Sequence, residues 1–332
     1  MQTGWIRPIH RSISRLDMEG LLGRASSRLI FVTLIPNAAY VLFVAAILAS
    51  GAPGRDPKMS ALLHVLGTLT WRDFAGLLFL IIVVGIAMHP IQRPLIQLLE
   101  GYWLSLPGGT WAADLATRRY VALYTQLRAD ERSNMSTDIA VHRKAASASD
   151  RLAWLPDDDI DLLPTSLGNT LRVGEDRAAA RYGMDVAVVM PRLVPLLRSE
   201  MRERLTDRRN QLDAAARLCA ISLLGVPVSI GLLLPTGHWL YVPLCAFAIA
   251  WLSYRGAVAA AKGYCEEMAA AVDLHHRDLW RALELPPPKN LLQEKRRSAQ
   301  LSRFLAGEDL DDILAKSISW QEPPLHPSDD AS

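Results

Sequence analysis

The sequence predicts an all-α integral membrane protein with four transmembrane helices, and three observations carry that prediction. Between Arg217 and Arg255 the chain holds no Asp, Glu, Lys or Arg, a run far too long for the core helix of a soluble protein. Two more uncharged runs lie between Arg28 and Arg55 and between Asp73 and Arg93. Half of the 332 residues are apolar, and they gather in these runs. The predicted spans lie near 29–50, 74–92, 217–235 and 239–255.

The last two spans form a hairpin. Pro235, Thr236, Gly237 and His238 interrupt the longest run with a turn-forming cluster, leaving about 18 residues on each side. Beyond both ends charges return, yet the apolar spacing stays helical. Leu197, Met201, Leu205, Leu212, Ala216 and Cys219 recur at intervals of three, four or seven, as do Cys265, Met268, Val272, Leu279 and Leu283. The stretch 191–285 therefore reads as transmembrane helices 3 and 4 prolonged into cytosolic stalks of roughly 35–45 Å.

Charge sets the orientation. The 51–72 connection carries only Arg55, Lys58 and Arg72, and the 235–238 turn carries no cation; the remaining 33 of 36 Lys and Arg lie before the first span, between the second and third, or after the fourth. The positive-inside rule then places both termini and the long middle segment in the cytoplasm. The first span, with its long charged lead, reads as an uncleaved anchor rather than a signal peptide. A net charge of +2 gives no one-sided cationic face and argues against nucleic acid as a partner. The three cysteines fall in or just beyond the spans and read as small apolar packing residues.

In order, residues 1–27 read as an amphipathic cytosolic N-terminus, with Ile13, Leu16, Leu21 and Leu22 on the inner leaflet. Residues 28–92 hold spans 1 and 2. Asn37 follows Pro36 inside the first span and is a candidate for bonding a neighbouring helix or lining a pore mouth. After the second span, Tyr102 and Trp103 suit a membrane interface, and Glu100 beside them either pairs with an arginine or faces water.

Residues 93–190 form a cytosolic helical region. Thr110 is an expected N-cap for a helix from Trp111 to about Arg128. Residues 129–150 read as a mobile linker with a short helix near Ile139. Asp157, Asp158, Asp159 and Asp161 read as solvated turn carboxylates rather than metal ligands. The most pointed stretch is 163–184. Thr165 or Ser166 starts a helix that Gly183 ends, and Asn169, Arg172, Glu175 and Asp176 gather on one face, with Arg172 able to pair with Asp176. That face is the candidate ligand or partner surface. Gly168 and Gly174 cost roughly 1 kcal/mol each in a helix interior, which points to close approach of another helix or a ligand. Further on, Asp273, His276 and Asp278 read as helix-surface polar residues. Residues 286–305 carry three prolines and then a C-terminal amphipathic helix, and 306–332 read as a disordered acidic tail.

Leu98-Leu99-Glu100-Gly101-Tyr102-Trp103 and Leu163-Pro164-Thr165-Ser166-Leu167-Gly168-Asn169-Thr170-Leu171-Arg172 resemble signatures of an uncharacterised group of bacterial four-span membrane proteins. Tyr182-Gly183-Met184-Asp185 and Pro191 to Leu197 resemble the same group. The resemblance implies the architecture and a place in a bacterial cytoplasmic (inner) membrane, and carries over no catalytic residue. In topology alone, the four spans with cytosolic helices are similar to the bestrophin anion channels.

No phosphate loop, dinucleotide fingerprint, zinc spacing or nucleophile elbow occurs, so no enzyme, cofactor or metal is expected. The expected function is a non-enzymatic, multi-pass scaffold or signalling partner in the lipid bilayer. It would self-associate as a homo-oligomer and offer a face to a cytosolic protein partner. An oligomeric channel is the alternative, and a cryptic cytosolic enzyme a distant third.

Overall fold

The computed structural model describes residues 35–103, 107–133, 138–158 and 161–307, with only the backbone for 89–93, 179, 236 and 238. The expected amphipathic segment 1–27 and the tail beyond Gly307 lie outside these residues. Among the described residues every regular element is helical. In chain order they are α1 (Ile35–Ala49), α2 (Met59–Thr68), α3 (Trp71–Glu100), α4 (Gly109–Arg132), α5 (Ile139–Leu152), α6 (Ser166–Ala180), α7 (Val186–Leu193), α8 (Ser199–Leu233), α9 (Tyr241–Ala282) and α10 (Leu291–Leu305).

Among the described residues three helices are long and apolar enough to cross a membrane: α3 over Trp71–Met88, α8 and α9. The first predicted span, 29–50, begins outside the described residues, and α1 covers 15 of its positions. The chain divides into two units, one of residues up to His89 plus Ile221–Phe247, the other of Pro90–Ala220 plus Ala248 onward. The division falls inside α3, α8 and α9.

The first unit turns its large apolar side chains outward. Phe74, Leu78, Phe79 and Ile86 on α3 are exposed, as are Leu244 and Phe247 on α9. Helices surrounded by lipid have no reason to hide such side chains. Small and polar groups lie between the helices instead. Asn37 is 1% exposed, and its Nδ2 packs so closely on Gly85 that a Cβ there would stand 3.3 Å away. Gly225 likewise receives the Phe43 ring. At one end Ile47, Ala52 and Leu233 close a small apolar cluster.

The second unit is built on the predicted stripes. Leu197, Met201 and Leu205 join Cys265, Met268, Val272 and Leu279 in one core with α7 and α10. Leu212, Ala216 and Cys219 join Ala257, Ala261, Leu99 and Leu167 in another. Alanines that are fully buried, such as Ala257 and Ala261, let α8 and α9 approach closely.

Four local expectations change. The long helix starts at Ser199, not near Pro191, because Pro195 sits in a 3-10 turn over Val194–Leu196 and Arg202 holds that turn through the carbonyls of Pro195 and Leu197. In the 129–150 stretch the short helix expected near Ile139 is longer than expected, running from Ile139 to Leu152, and the preceding helix continues to Arg132. Asp138 caps α5 by accepting from the Ala140 N–H at 2.8 Å, and Ala145, Ala148 and Leu152 bury one face against Leu127 of α4. Thr110 does not cap α4, which begins at Gly109 behind Gly108 in the left-handed region. Finally, α9 ends at Ala282, before the prolines. Glu284 takes a φ of 55° and the Leu285 N–H bonds the Trp280 carbonyl at 3.0 Å, a Schellman closure that normally uses glycine.

Candidate functional site

The stretches 98–103 and 163–172 meet in the second unit. Helix α3 ends in a Schellman motif: the Tyr102 N–H bonds the Gln97 carbonyl at 2.9 Å and the Gly101 N–H bonds Leu98 at 3.2 Å. Gly101 supplies the left-handed turn at φ 97°. The geometry also brings its α-carbon against Pro164, whose Cγ would stand 2.8 Å from an added Cβ. Trp103 locks the turn by donating its indole N–H to Leu98 at 2.6 Å. Tyr102 points into solvent.

Helix α6 then docks on this turn through its glycines. A Cβ on Gly168 would collide with the Glu100 carbonyl oxygen, and one on Gly174 with the Cys265 side chain on α9. The two costly glycines thus buy contact with other helices, not space for a ligand. The start of α6 is fully served. Thr165 Oγ1 accepts from the Gly168 N–H at 3.1 Å, and the Tyr254 hydroxyl accepts from Leu167 at 3.2 Å. Ser166 shares a 2.7 Å hydrogen bond with Tyr120.

The predicted face does not stay together. Asn169 is fully buried, and its amide grips one residue from both sides. Its Oδ1 accepts from the Leu163 N–H at 2.7 Å, and its Nδ2 donates to the Leu163 carbonyl at 2.9 Å. Arg172 pairs with Asp161 at 2.5 Å, not with Asp176. Glu175 and Asp176 remain exposed, so the outward face of α6 reduces to Arg172, Glu175 and Asp176.

Electrostatics mark the same junction. Burial, and then the nearby charges of Glu175 and Asp213, push the Glu100 carboxyl above the usual range. The Glu175 carboxyl is raised too, by the protein mass around it and then by Asp176 and Asp185. Cys265 lies buried, 3.8 Å from the Thr170 carbonyl. Burial, with help from Glu175 and Glu266, pushes its thiol up to about 12. A thiol so placed stays protonated and is no nucleophile at neutral pH.

Other candidate groups find separate partners. Asp273 pairs with Arg181 at 3.2 Å, and Asp278 with His275 at 2.9 Å. His276 turns inward to Glu294 of α10 at 3.1 Å, stacked on Tyr182. Asp273, His276 and Asp278 therefore share no common centre. Of the acidic quartet, Asp161 is taken by Arg172 and Asp157 stands 4.0 Å from Arg128; Asp159 lies outside the described residues. Among the described residues no group of three or more His, Cys, Asp or Glu is arranged to hold a metal ion. Sequence reasoning missed Cys265 and Tyr254 as junction residues, and missed the buried Glu294 beside His276. Only the glycines gave a sign that something presses on α6.

Compared with known proteins, the chain matches no family model, and neither a curated protein nor a solved structure matches it.

Proposed function

We propose that the protein is a non-enzymatic scaffold or signalling partner of a bacterial cytoplasmic membrane. It crosses the bilayer four times with both termini inside, self-associates, and holds a cytosolic protein on its second unit. One observation carries this reading. At the junction of 98–103 and 163–172, the buried polar groups are spent on the chain's own backbone, as with Asn169 on Leu163. Nothing there is poised for chemistry, and the thiol of Cys265 is pushed up to about 12. What α6 offers outward is a small charged face of Arg172, Glu175 and Asp176, a shape suited to docking. The fourth span is the 29–50 run, and the cation distribution supports the orientation.

The channel alternative needs Asn37 to face a conduction path. Its burial against Gly85 favours the scaffold.

A photo-crosslinking residue placed at Asp176 in living cells tests the docking face. A discrete adduct is expected, and Arg172→Ala/Glu175→Ala should abolish it without loss of folded protein. An adduct that survives that double change contradicts the face.

A further inference from the structure

The first half of α4 turns apolar side chains outward. Trp111 is 72% exposed and Leu115 44%, and Arg118 and Arg119 next to them are exposed as well. At spacings of four and three, Trp111, Leu115 and Arg118 share one face of the helix. The opposite face is occupied, since Tyr120, Leu123 and Leu127 pack with Ala148 and Leu152 of α5. A tryptophan and a leucine ahead of paired arginines on one open face is the pattern of a helix that lies in a membrane interface.

Depth decides what covers that face. Arg217 and Arg255 end the uncharged run of α8 and α9, so with these helices as spans the inner edge of the bilayer lies at their level. Ala216, Ala257 and Leu99 of α3 pack in one cluster there, which brings the end of α3 to the same level. Tyr254, the residue before Arg255, accepts the Leu167 N–H at 3.2 Å, and Ser166 beside Leu167 shares a 2.7 Å hydrogen bond with Tyr120. Helix α4 is therefore tied at Tyr120 to the residues that mark the edge. Leu115 lies five residues from Tyr120, roughly 8 Å along the helix, which is about the thickness of one headgroup layer. Two more groups at this level have interfacial chemistry. Tyr102 is 58% exposed at the end of α3, and the exposed Trp251 of α9 has Arg255 stacked 5.2 Å from its ring centre.

We propose that the first half of α4 lies in the cytoplasmic headgroup layer, with Trp111 and Leu115 at the acyl boundary and Arg118 and Arg119 on the phosphates of anionic lipids. This rests on the reading of α3, α8 and α9 as spans and adds to it a lipid-binding surface outside them.

The test uses full-length protein in vesicles of phosphatidylcholine and phosphatidylglycerol, with a nitroxide at one position at a time. The label is attached through a genetically encoded ketone side chain, which leaves the native cysteines unaltered. Power saturation compares collisions with oxygen, which concentrates in lipid, and with a nickel chelate, which stays in water. The oxygen-to-nickel ratio at Leu115 is expected to be roughly threefold that at Asp176 of α6, and Arg118→Glu/Arg119→Glu should lower it toward the Asp176 value. A ratio at Leu115 equal to that at Asp176 overturns the proposal, as does one that the charge reversal leaves unchanged. Leu78 of α3 separates this failure from failure of the spans. A lipid ratio at Leu78 with an aqueous one at Leu115 sinks the interfacial helix alone, whereas aqueous ratios at both sink the spans with it. The labelled and substituted side chains are all exposed, so the packed core is left intact.

Discussion

Gly174 of α6 and Cys265 of α9 touch with no room for a methyl group between them. This contact fixes how closely two helices of the second unit pack. Gly174→Ala should therefore destabilise the fold by about 1–3 kcal/mol, as overpacking of a well-filled core does. Adding Cys265→Gly should restore part of the loss, because it removes the atoms the new methyl meets. Thermal unfolding of the two variants checks the pair. Equal melting temperatures for wild type and Gly174→Ala would deny the close contact.

Asn169 serves Leu163 with one donor and one acceptor. Asn169→Ala should cost about 2 kcal/mol, since it strands a buried N–H and a buried carbonyl. Asn169→Asp is the sharper variant. The carboxylate still accepts from the Leu163 N–H but faces the Leu163 carbonyl with no donor, so it should be no better than alanine. If Asn169→Asp unfolds like wild type in a denaturant titration, the clamp is not formed as described.

Glu100 makes stability depend on pH. Its carboxyl value is raised in the folded chain, chiefly by burial, so the folded state binds that proton more tightly than the unfolded state. Stability from this group is then present at acid pH and lost as pH rises through the raised value. Glu100→Gln should raise the melting temperature near pH 7–8 relative to wild type, with the gap closing toward pH 4. A gap of constant size across that range would contradict the assignment.

Glu284 holds a left-handed conformation, which costs a side chain about 1 kcal/mol. It is exposed, so Glu284→Gly removes the strain without disturbing the core. Glycine also gains freedom in the unfolded chain, and the net effect expected is a stabilisation of several tenths of a kcal/mol to about 1 kcal/mol. A clear drop in melting temperature would mean that the Leu285 turn relies on the Glu284 side chain.

Much of the helical framework was legible in the sequence, because burial follows the 3.6-residue period wherever apolar side chains are large. The helical stripes Leu197–Cys219 and Cys265–Leu279 lie in the cores as the spacing predicts. Helix α5 was legible only as a short helix near Ile139, because its buried face is Ala145, Ala148 and Leu152, too small a stripe to stand out from a polar run. The α6 face was half legible. Helical spacing put Asn169 beside Arg172, Glu175 and Asp176, but no local pattern reveals that the chain folds back so that Leu163 meets Asn169. Glycines at 168 and 174 carried the right message, close approach, without naming Glu100 or Cys265 as the neighbours. Partners distant in sequence leave no trace in a single chain.

The central claim, a membrane scaffold rather than a pore, is tested most directly by ion flux. Purified protein reconstituted into liposomes should pass potassium and chloride no faster than empty liposomes do. Flux above that baseline, altered by Asn37→Ala, would contradict the account and establish the channel reading in its place.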